Sequence, residues 1–255
     1  MLPRTLTNYH WTAIATALLA MLALVLGSMV MLGAVVLAFL ATVGLGAAIP
    51  QLSLYGRFVC RGNVTCRCVA LTFDDGPDER STPALLELLR ESGVEAAFFC
   101  IGHRVAAHPE LAARIAGGGH LLENHTYTHS NTTNIFSVDR LRTELARTQT
   151  VIQQATGTAP LLFRPPMGLS NPRIFHVAQS LGLTMVGWSA RGLDTKMTEP
   201  ERIVARIERG LKPGAIILMH DGNIPAERLV TTVKLLLDRL RVLGYDVVRL
   251  DRMLT

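Results

Sequence analysis

The chain has 255 residues, 49% hydrophobic and 5% aromatic, with 25 Lys and Arg against 20 Asp and Glu and a formal net charge of +5. That length suits one large domain or a domain with an accessory segment. The basic excess contains no Lys/Arg block and no interleaved aromatics, which argues against a nucleic-acid partner and suits a surface near anionic membrane lipid.

No charged residue lies between Thr5 and Gly56, and Thr12 to Pro50 is almost entirely Ala, Leu, Val, Met, Ile and Gly. A helix needs about 20 apolar residues, each rising about 1.5 Å, to cross a bilayer. The tract is long enough for two, which predicts residues 1–50 to be a membrane segment with two transmembrane helices turning near Gly27-Ser28 or Gly33. A single tilted helix is the alternative, and a cleaved signal peptide would have a much shorter apolar core. Arg4 precedes the tract, and Arg57, Arg61 and Arg67 follow it. Cations favour the cytoplasmic side. Two spans then place terminus and domain inside a bacterial-type inner (plasma) membrane, whereas one span places the domain outside.

Residues 51–67 read as a linker and 68–255 as the main domain. The spacing of Cys60, Cys66 and Cys68 lacks the paired pattern of a structural zinc site. A Cys60–Cys66 disulfide is open to an extracytoplasmic domain, and free thiols to a cytoplasmic one. Cys100 sits in an apolar run and reads as core.

Beyond the linker, apolar runs alternate with helical periods. Strands are predicted at Cys68–Asp75, Glu95–Gly102, His120–Asn124, Leu161–Arg164, Thr184–Ser189, Ala215–His220 and Asp246–Leu250. Helices between them start at Ser81-Thr82-Pro83, Pro109, Ser137, Pro172, Pro200 and Ala226, closed where glycines such as Gly93, Gly157 and Gly182 stop the pattern. In the third of these, Leu141, Leu145, Thr148 and Ile152 recur along one face. Such alternation implies α/β architecture with parallel pairing and right-handed crossovers, closing toward a distorted (β/α)7-type barrel or forming an open doubly wound sheet, the barrel being the expectation.

The unusual polar residues fall at the downstream ends of the strands: Asp74, Asp75, His125, Arg164 and His220. In barrels of this kind that end holds the active site. Adjacent carboxylates at Asp74-Asp75 repel unless a cation sits beside them. His125-Thr-Tyr-Thr-His129 puts two imidazoles one helical turn apart. With a carboxylate from Asp74 or Asp75 they make a three-ligand metal set with an open position, leaving the other carboxylate as base. Asp221, directly after His220, reads as a solvated turn residue, a part in holding the loop being the alternative.

These motifs, in this order, resemble those of the NodB-type polysaccharide deacetylases, the carbohydrate esterase family that includes chitin and peptidoglycan N-deacetylases. The resemblance spans about Val69 to Leu250. Thr72-Phe-Asp-Asp-Gly-Pro77 is similar to the first motif, which implies Asp74 as base and Asp75 as metal ligand. Asn124 followed by His125-Thr-Tyr-Thr-His129 is similar to the second, implying both histidines as ligands of a divalent metal, Zn2+ first. Arg164-Pro-Pro-Met-Gly168 resembles the third, whose Arg orients the base, but Met167 replaces the usual aromatic residue and keeps only its backbone N–H for an oxyanion. Trp188 and Asp194 are candidates for the fourth motif's wall and carboxylate, at altered spacing. Leu218-Met-His220 is similar to the fifth, implying His220 as general acid.

The implied reaction is metal-assisted removal of an N-acetyl group from an amino sugar in a cell-envelope glycan, on a nascent chain or a lipid carrier. An O-acetyl esterase and a catalytically silent tethered binding protein are the alternatives. Trp188 reads equally as core.

Overall fold

A Gly-Ser pair turns the apolar tract back on itself. In the computed structural model, which describes residues 7–254, helix α1 spans Asn8–Val25 and helix α2 spans Met29–Ala48. Gly27 takes φ +65°, a left-handed conformation that glycine adopts without a Cβ clash. The Ser28 hydroxyl then caps α2 by accepting from the Met31 amide at 3.3 Å. Gly33, the other expected turn, lies inside α2. Both helices are long and apolar enough to cross a membrane. Arg4, one of the flanking cations, lies outside the described residues.

The rest of the chain alternates strands and helices. In order they are β1 Cys68–Asp74, α3 Thr82–Ser92, β2 Ala97–Cys100, α4 Gly102–Ala107, α5 Pro109–Gly117, β3 Leu121–Asn124, α6 Val138–Thr156 and β4 Leu162–Phe163. There follow α7 Pro172–Ser180, β5 Thr184–Met185, β6 Ala190–Arg191, α8 Pro200–Glu208, β7 Ala215–His220, α9 Ala226–Val242 and β8 Asp246–Val247. Every pairing between these strands is parallel, in the order β5-β4-β3-β2-β1-β7-β6 with β8 beside the start of β1.

Parallel strands covered on both faces carry continuous apolar runs, and all seven residues of β1 are buried. Alternate residues serve two cores. Leu71, Phe73, Phe98 and Ile217 pack under Leu85, Leu89, Leu236 and Leu240 of the helices, while Ala70, Ala97, Phe99 and Ile216 fill the concave inside.

The expected barrel is a curled half-barrel, because the edge strands β5 and β6 do not pair with each other. A strap from residues 58–62 crosses the gap. Val59 bridges to Val186 in parallel, and Arg61 bridges to Ala215 antiparallel.

The sequence reading has seven strands where the structure describes eight, the short strand at Ala190–Arg191 being unforeseen, and several predicted strands are shorter than expected. The predicted strand Thr184–Ser189 stops at Met185, since the next carbonyls, Val186 O and Gly187 O, accept from the Arg164 side chain. The predicted strand to Gly102 stops at Cys100, where Ile101 N–H donates to Gly76 O and Gly102 N–H to Thr126 O, opening the short helix α4. The last strand is cut to Asp246–Val247 and continues as a 3-10 turn at Leu250–Met253. Cysteine pairing also differs: Cys66 bonds to Cys68, and Cys60 stays a free thiol beside Gly187.

Phe98 is fully buried and stacks on Phe73 with ring centroids 5.2 Å apart. Phe98→Ala is expected to lower the unfolding free energy by about 3–5 kcal/mol, read as an earlier denaturant midpoint at an unchanged circular-dichroism baseline.

Candidate active site and metal centre

Parallel strands all end on one side, and the polar residues of the motifs gather there. Asp74 closes β1 in register with His220 at the end of β7. Arg164 follows β4, and His125 follows β3.

Arg164 is wholly buried and uses its guanidinium at four points. Nη1 donates to Asp74 Oδ1 at 2.6 Å and to Thr72 Oγ1 at 2.9 Å, Nη2 to Gly187 O at 3.0 Å, and Nε to Val186 O at 3.4 Å. Its plane lies over Phe99, 4.0 Å from the ring centroid. Paired and hydrogen-bonded in this way, a buried cation is tolerable, and it fixes one oxygen of Asp74 while the other faces His125 Nε2 at 3.8 Å.

His125 and His129 do not share a helix face, contrary to the spacing argument. Residues 125–129 form a loop in which Thr126 and His129 take φ +66° and +49°. Local acceptors hold it. Asn124 Oδ1 accepts from Thr126 N–H at 3.0 Å, and the buried Glu144 carboxylate accepts from the amides of Tyr127 and Thr128 and from the Thr128 hydroxyl at 2.8–2.9 Å. Folded this way, the loop still brings its imidazoles together. His129 Nε2 and His125 Nε2 lie 3.2 and 3.5 Å from Asp75 Oδ1.

This arrangement fits a divalent cation. One ligand atom from each of Asp75, His125 and His129 falls within 4.8 Å of the others. Asp75 Oδ1 is buried yet accepts no hydrogen bond among the described residues. His125 Nδ1 meets Arg164 O at 2.6 Å, the outer bond that orients a ligating imidazole and frees Nε2. Burial alone would raise Asp75, but the approach and charge of His125, with His129 and His220 behind, hold its carboxyl well below the usual range. Burial, then the charge of His125, lowers His129.

Across the cleft, Asp194 accepts from His220 N–H at 2.8 Å and meets His220 Nδ1 at 3.0 Å. Burial pushes the imidazole down, yet Asp194, aided by Asp74 and Asp75, pushes it up to about 9. Met167, half-exposed at φ +58°, and Trp188 form one wall. Gly168 sits so close to the indole that a side chain there would collide with it. Asp75, Thr126, His129, Met167 and Leu193 are all left-handed non-glycine residues, a concentration of backbone strain typical of functional sites.

One residue of the site escaped the sequence reading, and a second was given the wrong preferred role. Glu144 stands in the apolar stripe of α6 between Leu141, Leu145 and Thr148, and a charge in a buried stripe is the signal that could have flagged it. Asp221 is fully buried rather than solvated. Its N–H donates to Asp74 O at 3.1 Å, its carboxylate accepts from Thr82 Oγ1 at 2.6 Å, and Ser81 Oγ donates to its carbonyl. A concavity lined by His120, Glu123, Leu161, Met185 and Asp251 holds none of the converging residues.

The comparisons agree with this geometry. Residues 61–186 match the family model for polysaccharide deacetylases. A peptidoglycan-N-acetylglucosamine deacetylase of Bacillus cereus is 35% identical over 74% of this chain and 88% of its own. A chitooligosaccharide deacetylase of a Bradyrhizobium species is 34% identical over 73% and 85%. The crystal structure of a peptidoglycan N-acetylglucosamine deacetylase in complex with an N-oxidanyl-benzamide superposes with a TM-score of 0.73 at 30% identity, covering 77% of this chain and 92% of that one. A family pseudoenzyme from Bacillus anthracis also superposes, with a TM-score of 0.72 at 28% identity over 78% and 69% of the two chains. Sequence, fold and site together establish that the chain belongs to the polysaccharide deacetylase family.

Proposed function

We propose that the protein is a metal-dependent N-deacetylase of N-acetylated amino sugars in a cell-envelope glycan, anchored to a membrane by its α1–α2 hairpin. The observation that carries this reading is the convergence of Asp75, His125 and His129 on one point, with the Arg164-held Asp74 on one side and the His220–Asp194 pair on the other. The named activities of the Bacillus and Bradyrhizobium relatives support the same substrate class. The site residues also separate this chain from a silent homologue, since base, acid and all three ligand positions are filled.

Asp75, His125 and His129 would hold the cation, Zn2+ being suited to two imidazoles and a carboxylate. Bound there, it would supply Lewis acidity toward the acetamide carbonyl and a more acidic water. Asp74, its other oxygen fixed by Arg164, takes the proton of the attacking water. The Met167 backbone N–H faces the oxyanion, and Trp188 packs against the sugar. As the carbonyl carbon gains the water oxygen and the C–N bond breaks, protonated His220 gives its proton to the departing amine. The products are acetate and the free amino sugar. Asp194 keeps His220 charged for that step.

Asp74→Asn is expected to cut kcat for acetate release from N-acetylglucosamine oligomers by about 100-fold or more. Activity retained in this variant would remove Asp74 from its role, and an O-acetylated glycan assayed in parallel separates esterase from deacetylase. Chelation should abolish turnover and Zn2+ restore it. Because Asp194 raises His220 to about 9, the acid is lost only as pH climbs through that value. In Asp194→Asn the alkaline limb of the kcat profile should move down toward the ordinary imidazole range. Glu144→Ala releases the loop amides and should weaken Zn2+ binding by about 10–100-fold in calorimetry, with helicity retained.

A further inference from the structure

The hairpin is seamed to the domain without a spacer. Tyr9 N–H donates to Leu54 O at 2.8 Å, the Tyr9 and Tyr55 rings lie 5.5 Å apart, and the Tyr55 hydroxyl donates to Val43 O of α2 at 2.7 Å. A side chain at Gly46 would collide with Leu54. From this seam two bonds run directly to the substrate wall: Ser170 N–H donates to Ala47 O at 3.2 Å, and Gln51 Nε2 donates to Trp188 O at 2.9 Å. Met167 is only three residues before Ser170, at most about 10 Å of chain.

The surroundings match the level of lipid headgroups. Trp11, exposed in the first turns of α1, stands at the base of the hairpin, the place where aromatic belts form, while Tyr55 is buried against Tyr9. Arg191 is exposed and its guanidinium lies 5.6 Å from the Trp188 ring, a cation suited to anionic lipid. Three exposed apolar side chains, Ile49, Ile135 and Met167, belong to segments tied to one another, because Asn171 Nδ2 also donates to Asn134 O at 2.7 Å.

We infer that the cleft opens at the bilayer surface and takes its N-acetyl sugar from a glycan anchored by a lipid in the same membrane; this rests on the deacetylase reading. A lipid-borne glycan shares the layer in which the cleft lies, so its effective concentration there far exceeds its bulk concentration. A glycan free in solution has no such advantage.

The full chain is reconstituted in phosphatidylcholine/phosphatidylglycerol vesicles. Acetate release is then compared for one N-acetylglucosamine oligomer carried on a dialkyl lipid in the same vesicles and for the same oligomer free in solution. The lipid-borne form should turn over about 10-fold faster or more at equal bulk concentration, and Ile135→Glu should lower that ratio. In parallel, Trp11→Phe leaves Trp188 as the one tryptophan of the two in the chain, and its fluorescence should be quenched by lipids spin-labelled at the headgroup. Equal or faster turnover of the free oligomer, or an unquenched Trp188, overturns the inference. Acetate from neither substrate, with Trp188 quenched, overturns the deacetylase reading and this substrate with it.

Discussion

The ion pair between Arg164 and Asp74 is the constraint on which the rest of the site depends. A guanidinium with no exposed surface has to satisfy its donors inside the protein, and four acceptors from β1 and the segment after β5 do so. Removing one partner of such a pair costs about 3–5 kcal/mol because it leaves a buried charge uncompensated. The same bonds shape the backbone. By taking Val186 O and Gly187 O, Arg164 ends β5 early, just before Trp188. Through its own carbonyl it also orients His125. One residue, through side chain and carbonyl together, therefore links Asp74, His125 and the segment before Trp188.

Around this pair the loops are strained and held from outside. Left-handed φ at Asp75, Thr126, His129, Met167 and Leu193 costs of order 1–3 kcal/mol each, and persists because buried acceptors over-determine the loops. Glu144 does this for the histidine loop, and Asp221 does it for the turn after β1. The Glu144 carboxylate takes two amides and a hydroxyl, whereas Asp221 ties its turn through its own N–H to Asp74 O and one carboxylate oxygen to Thr82 Oγ1.

Much of this was legible in the sequence. The apolar runs of β1 and β7, the caps of α3 and the period of α6 placed the strands and their downstream ends, and the motif residues fell there because parallel strands share direction. The helical spacing of His125 and His129 was misleading: Asn124 turns the loop from two residues away, and Glu144 holds it from a helix 16 and 17 residues on, contacts that a side-chain period does not register. Thr184–Ser189 looked like one strand because hydrophobic pattern does not register that an arginine 22 residues upstream claims its carbonyls. The gap in the barrel and the strap that spans it depend on long-range pairing, to which local propensity is blind. The hairpin turn, by contrast, was fixed locally by Gly27 and Ser28.

The seam between hairpin and domain has a mechanical consequence. Helices of 18 and 20 residues rise about 27 and 30 Å, close to the hydrocarbon thickness of an ordinary bilayer, and helices tilt when that thickness changes. With hydrogen bonds rather than a loose tether joining Ala47 and Gln51 to the catalytic body, any lean of the helix pair is inherited by that body. On the proposed membrane-anchored reading, a thinner or thicker bilayer would therefore turn the cleft with the hairpin, and membrane thickness would enter the geometry of the enzyme.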